Sequence, residues 1–132
     1  MADPGEALPS SGEPAIRVVA MPADTNANGD IFGGWLVSMM DLAAGTVAST
    51  HSRGRAATVA MDGMTFHRPV QIGDVVSVYA ELVSVGRTSM KIDVTAWRRA
   101  RAGLESEKVT HATMTFVAID DDGRPRAVVA QP

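Results

Sequence analysis

Apolar residues follow two different rhythms along this chain. From Trp35 to Ala48 they crowd together: Trp35, Leu36, Val37, Met39, Met40, Leu42, Ala43, Ala44, Val47 and Ala48 surround a helical axis on most sides. The pattern predicts one helix from about Gly33 to Thr50. A helix apolar most of the way round belongs inside a fold. Its small residues Ala43, Ala44, Gly45 and Ala48 suit the close approach of a sheet.

Beyond that helix the period becomes two. In residues 88–99, Met90, Ile92, Val94 and Ala96 alternate with Lys91, Asp93, Thr95 and Trp97, as a half-buried strand requires. Residues 74–85 and 107–119 read the same way, and 16–21 make a short first strand. Residues 56–67 form a strand whose phase slips: Val59 and Met61 share a parity that Met64 and Phe66 do not. Gly63 lies at the slip, which predicts a β-bulge there. Val85-Gly86-Arg87-Thr88 marks a hairpin turn, and a short tail strand is expected over 127–130.

Short connections pair consecutive strands antiparallel. The expected architecture is therefore α+β, one long helix wrapped by a curved antiparallel sheet of about five strands. One helix cannot cover such a sheet, so apolar surface is left for a second subunit. Residues 1–14 are rich in Pro, Gly, Ser and acidic side chains and read as a disordered tail before a single domain at 15–132.

Composition narrows the function classes. The 132 residues suffice for one domain. A formal net charge of −3 gives no support for nucleic-acid binding. The absence of cysteine removes disulfides, thiolate metal sites and a cysteine nucleophile. His51, His67 and His111 fall on separate elements without metal-site spacing, so no metal is expected. The first residues lack the basic start and apolar run of a signal peptide. The apolar stretch is shorter than the roughly 20 residues that span a bilayer. The expectation is a soluble, cytoplasmic protein with no membrane partner.

Chemistry concentrates just before the helix, in Pro22-Ala23-Asp24-Thr25-Asn26-Ala27-Asn28-Gly29-Asp30-Ile31-Phe32-Gly33-Gly34. A helix start carries unpaired N–H groups and a positive dipole end. Asp30 there is either a helix N-cap or a general base or nucleophile. Gly33 and Gly34 are poor helix formers. Their presence in the first turn suggests that something approaches the backbone closely, and an oxyanion fits. Asn26 and Asn28 flank the site as turn residues or as substrate contacts. Asp41 on the apolar helix is either a second acidic site residue or, the preferred reading, a buried carboxylate satisfied by a partner. Gly86-Arg87-Thr88-Ser89 suits a phosphate or a plain solvated turn.

These residues resemble a known family. Residues 22–34 with Trp35-Leu36 and Met40-Asp41 are similar to the opening of hotdog-fold acyl-CoA thioesterases of the bacterial YciA type, relatives of the cytosolic long-chain acyl-CoA hydrolases. Met64-Thr65-Phe66, Arg68-Pro69-Val70, Gly73-Asp74-Val75-Val76, Val85 to Ser89 and Phe116 to Asp120 match in order, over about residues 16–127. The resemblance implies a hotdog fold assembled as dimers or trimers of dimers, with active sites between subunits. It implies hydrolysis of acyl-CoA to a free acid and coenzyme A, with no cofactor beyond the coenzyme A moiety of the substrate. Asp30 would be the catalytic carboxylate and the amides of Gly33 and Gly34 the carbonyl-polarising donors, with Asn28 beside them. Gly86, Arg87, Thr88 and Ser89 would meet the nucleotide, with Arg68 a lesser candidate. A non-catalytic acyl-CoA-binding module is the alternative. An enoyl-thioester hydratase is a weaker one, since no histidine follows Asp30 on the helix before His51.

Overall fold

A computed structural model describes residues 12–129. Strand β1 (Ile16–Val19) leads through a short 3-10 turn at Pro22–Asp24 to helix α1 (Gly33–Ser52). Four strands follow: β2 (Ala56–Asp62), β3 (Val75–Val85), β4 (Ser89–Arg99) and β5 (Glu107–Ala118). They form one antiparallel sheet in the order β1-β3-β4-β5-β2, which leaves β1 and β2 as edges. This is the architecture that the two rhythms predict. Most of the tail expected over 1–14 lies outside the described residues.

Alternation decides which side of the sheet meets the helix. Val76 and Val78 of β3, Met90, Ile92, Val94 and Ala96 of β4, and Ala112, Met114, Phe116 and Ala118 of β5 are buried against α1. From α1 come Leu36, Met40, Ala43, Ala44 and Ala48, spaced as a single helical stripe. The small residues do allow close approach: a Cβ on Gly45 would sit 3.6 Å from the Phe116 ring.

Several expectations are corrected. The helix is not enclosed on most sides within one chain. Only the stripe is buried, and Leu42 is 58% exposed on the opposite side. Strand β2 stops at Asp62, and the register shift lies between Thr58 and Ala60 rather than at Gly63. Val59 is thus the extra residue. Gly63, at φ +74, instead turns the chain out of the sheet. Residues 64–70 then cross to the start of the helix, held by the bonds Thr110 Oγ1 to Thr65 O (2.8 Å), His67 N to Val109 O (2.8 Å) and Ile31 N to Val70 O (3.1 Å). The tail strand expected over 127–130 is absent among the described residues. Val128 makes one backbone bond to Arg87 O (2.9 Å), and residue 130 lies outside the described range.

Candidate active site

The loop before α1 is a tight clamp. The Asn26 side-chain oxygen accepts from Asn28 N (2.9 Å) and Asp30 N (3.2 Å), and Asn26 N donates to Asp30 O (2.7 Å). Gly29 takes φ +84, which the turn needs. Phe32 N donates to Asp24 O (2.8 Å), and the Ile31 amide is tied to Val70 as above. Asn26 is therefore the residue that shapes the loop. Asn28 and Asp30 are exposed, and their side chains make no hydrogen bond or ion pair among the described residues.

The clamp fixes where the helix begins. Phe32 is the N-cap and supplies no side-chain cap bond, so the plain N-cap reading of Asp30 does not hold. The first helical amides, Gly33 and Gly34, have no backbone acceptor among the described residues. Gly33 lines a cleft of about 340 Å³, with Gly34 the next residue of the helix. Ile31, Phe32 and Leu36 line it from the helix side, and Phe66, Pro69, Val70 and Val109 from the crossing segment and β5. The Phe66 ring packs over Gly33: a Cβ there would lie 3.5 Å from its tip. A side chain larger than methyl would contend with that ring.

Two polar side chains also line the cleft, His67 and Arg68. Arg68 is anchored: its Nε lies 3.2 Å from a Glu107 carboxylate oxygen, and its Nη1 donates to Lys108 O (2.7 Å). Glu107 also meets Arg98, whose Nε donates to Asp74 Oδ2 (2.7 Å). The hydrogen bond that Arg98 donates to Asp74 raises the Arg98 pKa above its ordinary value, and the charges of Asp74 and Glu107 add to this against a desolvation penalty. The network braces the crossing segment against the ends of β3, β4 and β5.

Asp41 carries more structure than the sequence suggests. It sits seven residues after Gly34, hence on the same side of the helix about two turns on. Its carboxylate accepts a hydrogen bond from Thr58 Oγ1 of β2. It lines a second groove of about 440 Å³ with Leu42, Gly45, Thr46, Thr58 and Phe116.

The hairpin at Gly86 to Ser89 lies elsewhere. Gly86 N donates to Ser89 O (2.8 Å), closing the turn. Thr88 O accepts from Ala118 N and Arg87 O from Val128 N. Those neighbours belong to the far end of the helix, where Arg126 Nη1 donates to Ser52 O (3.0 Å). Twenty helical residues span about 30 Å. One protomer therefore does not bring the hairpin to Gly33 and Gly34. Among the described residues no group of three or more His, Asp or Glu could hold a metal, and no helix is long and apolar enough to cross a membrane.

One helix gripped by a curled antiparallel sheet, with free amides at its start, defines the hotdog class. The thioesterase superfamily pattern matches residues 28–104. A protein of Zymomonas mobilis named as an acyl-CoA thioester hydrolase is 60% identical over 123 residues, covering 93% of this chain and 83% of its own. The acyl-CoA thioester hydrolase YciA of Escherichia coli is 48% identical over 120 residues, covering 89% and 91%. The hexameric thioesterase of Yersinia pestis superposes with a TM-score of 0.87 at 47% identity, covering 94% of this chain and all of that one. The acyl-CoA hydrolase of Staphylococcus aureus, solved with butyryl coenzyme A and coenzyme A, gives a TM-score of 0.78 at 28% identity over 85% of this chain and 68% of that one. This chain belongs to the thioesterase superfamily, within its YciA-like acyl-CoA thioester hydrolases.

Proposed function

We propose that this protein hydrolyses the thioester of acyl-CoA to a free carboxylic acid and coenzyme A. The observation that carries the reading is the Gly33 amide, which lines a largely apolar cleft and, like its neighbour Gly34, has no backbone acceptor among the described residues. A thioester carbonyl placed there has its oxygen facing donors that strengthen as negative charge develops. Water adds to the carbonyl carbon, a carboxylate takes its proton, and the tetrahedral intermediate expels the coenzyme A thiolate.

We assign the carboxylate role to Asp41 in preference to Asp30. Asp30 is exposed and does not line the cleft. Asp41 is oriented by Thr58 and faces a groove. A spacing supports the choice. The Staphylococcus aureus hydrolase has been solved with an asparagine, and separately an aspartate fifteen positions later, changed to alanine. This chain has two asparagines, and only Asn26 has an aspartate fifteen residues on, namely Asp41.

Within one protomer Asp41 lies about 10 Å along the helix from Gly34, too far to share a substrate carbonyl. A second copy resolves this. The outer edge of β2 has no neighbouring strand among the described residues and carries exposed Val59, with Leu42 exposed on the neighbouring helix. Two-fold pairing of β2 edges sets the helices antiparallel, which carries a partner's Asp41 and hairpin toward this chain's helix start. Arg87, Thr88 and Ser89 then reach the nucleotide of a coenzyme A held at the other subunit's amides. The hexameric relatives fit such dimers assembled in threes.

Thiol release from acyl-CoA esters tests the reading. Asp41→Asn is expected to lower kcat by about 10²- to 10⁴-fold, the range for a lost general base, and Asp30→Asn by far less. The reverse ranking returns the role to Asp30. Coenzyme A binding without thiol release, by the unaltered protein and over all chain lengths, makes it a binding module instead.

A further inference from the structure

We propose that His67 selects among acyl groups, favouring chains that bear a hydroxyl over plain alkyl chains of the same length. The inference rests on the hydrolase reading above. Of the two polar side chains lining the cleft, Arg68 is committed to Glu107 and to the Lys108 carbonyl. The His67 side chain is exposed and makes no hydrogen bond or ion pair among the described residues. Its backbone is held, and the ring is exposed at the cleft, where a bound acyl chain would cover it. Its amide donates to Val109 O (2.8 Å), and its neighbours are Phe66, packed on Gly33, and the anchored Arg68.

The rest of the cleft wall is largely Ile, Phe, Leu, Pro and Val. An imidazole in that wall penalises methylenes laid against it, because its ring nitrogens then lose water without replacement. A hydroxyl on the acyl chain supplies that replacement, since imidazole can donate or accept. Polar groups built into a site discriminate best against analogues that leave them unpaired. The cleft of about 340 Å³ equals roughly eleven water-sized volumes, enough for an eight-carbon acyl group.

The test is the ratio of kcat/KM for 3-hydroxyoctanoyl-CoA to that for octanoyl-CoA, read by thiol release. His67→Leu is expected to lower this ratio about three- to tenfold, the worth of one hydrogen bond. His67→Gln, which keeps a donor and an acceptor, is expected to hold it within about twofold of the unaltered protein. An unchanged ratio in His67→Leu overturns the proposal. So does an equal fall in His67→Gln, which marks an effect of shape alone. If the unaltered protein releases thiol from neither ester nor from any shorter or longer one, the hydrolase reading fails and carries this inference with it. Turnover with an unchanged ratio removes the inference alone.

Discussion

The hydroxyl of Thr58 on β2 donates a hydrogen bond to the carboxylate of Asp41 on α1. It joins the middle of the helix to the edge strand at the position where that strand bulges. The bulge leaves Val59 unpaired and directs Thr58 and Ala60 onto their partners in β5, Phe116 and Thr115. A carboxylate held this way keeps one oxygen free for a water molecule. Thr58→Val removes the donor while keeping the shape of the side chain. A fall in kcat of about two- to tenfold is expected, the worth of one hydrogen bond, with little change in KM. Steady-state thiol release checks this, and an unaltered kcat would show that Thr58 does not orient Asp41.

Gly33 offers a direct test of the amide. It is the first helical residue, a position that tolerates proline, and Phe32 has the extended ψ of 131° that proline requires before it. Gly33→Pro therefore deletes one N–H without unmaking the helix, but the proline ring also presses on Phe66. Gly33→Ala, which keeps the amide and sets a methyl against the same Phe66 ring, is the control for that contact. If that amide holds the oxyanion, kcat falls about 10²- to 10³-fold, while far-ultraviolet circular dichroism stays unchanged. Gly34→Ala keeps its amide and meets open space, so it should retain most activity.

A site shared between copies permits complementation. Gly33→Pro and Asp41→Asn proteins, each nearly inactive, are mixed after unfolding and refolded together. Half the dimers are then mixed, and in each of these one of the two sites is intact, so about a quarter of normal activity returns. A site built within one chain returns none beyond the sum of the parents.

The brace beneath the crossing segment is a stability element. Asp74 is buried and depends on Arg98 and the Gln71 amide for its bonds. Arg98→Ala strands it, at a cost of about 1–3 kcal/mol. Calorimetry should show a lower melting temperature, with the exposed Arg101→Ala as a neutral control. The folded pKa of Arg98 is raised, so its contribution is complete below the unfolded value and is lost only as pH climbs through the raised one. On the arginine's side, the penalty is therefore constant between pH 6 and 9.

Local rules determined much of this protein. The alternation of Met90, Ile92, Val94 and Ala96 with polar neighbours sets a sheet face whatever lies around it, and the dense apolar run beginning at Trp35 sets one long helix. The run before Gly33 marked the helix start as the place for chemistry, because free amides at a first turn follow from helix geometry alone. Tertiary structure decided the rest. The bulge moved from Gly63 to Val59 because the strand pairs with β5 only as far as Asp62, and pairing partners are not written in local sequence. Asp41 is open in sequence to two readings, a site acid or, preferred, a satisfied carboxylate, and its partner, Thr58, lies seventeen residues away on another element. The hairpin at Arg87 and the amides at Gly33 matched one family pattern but stand at opposite ends of α1, a separation that only the fold could impose.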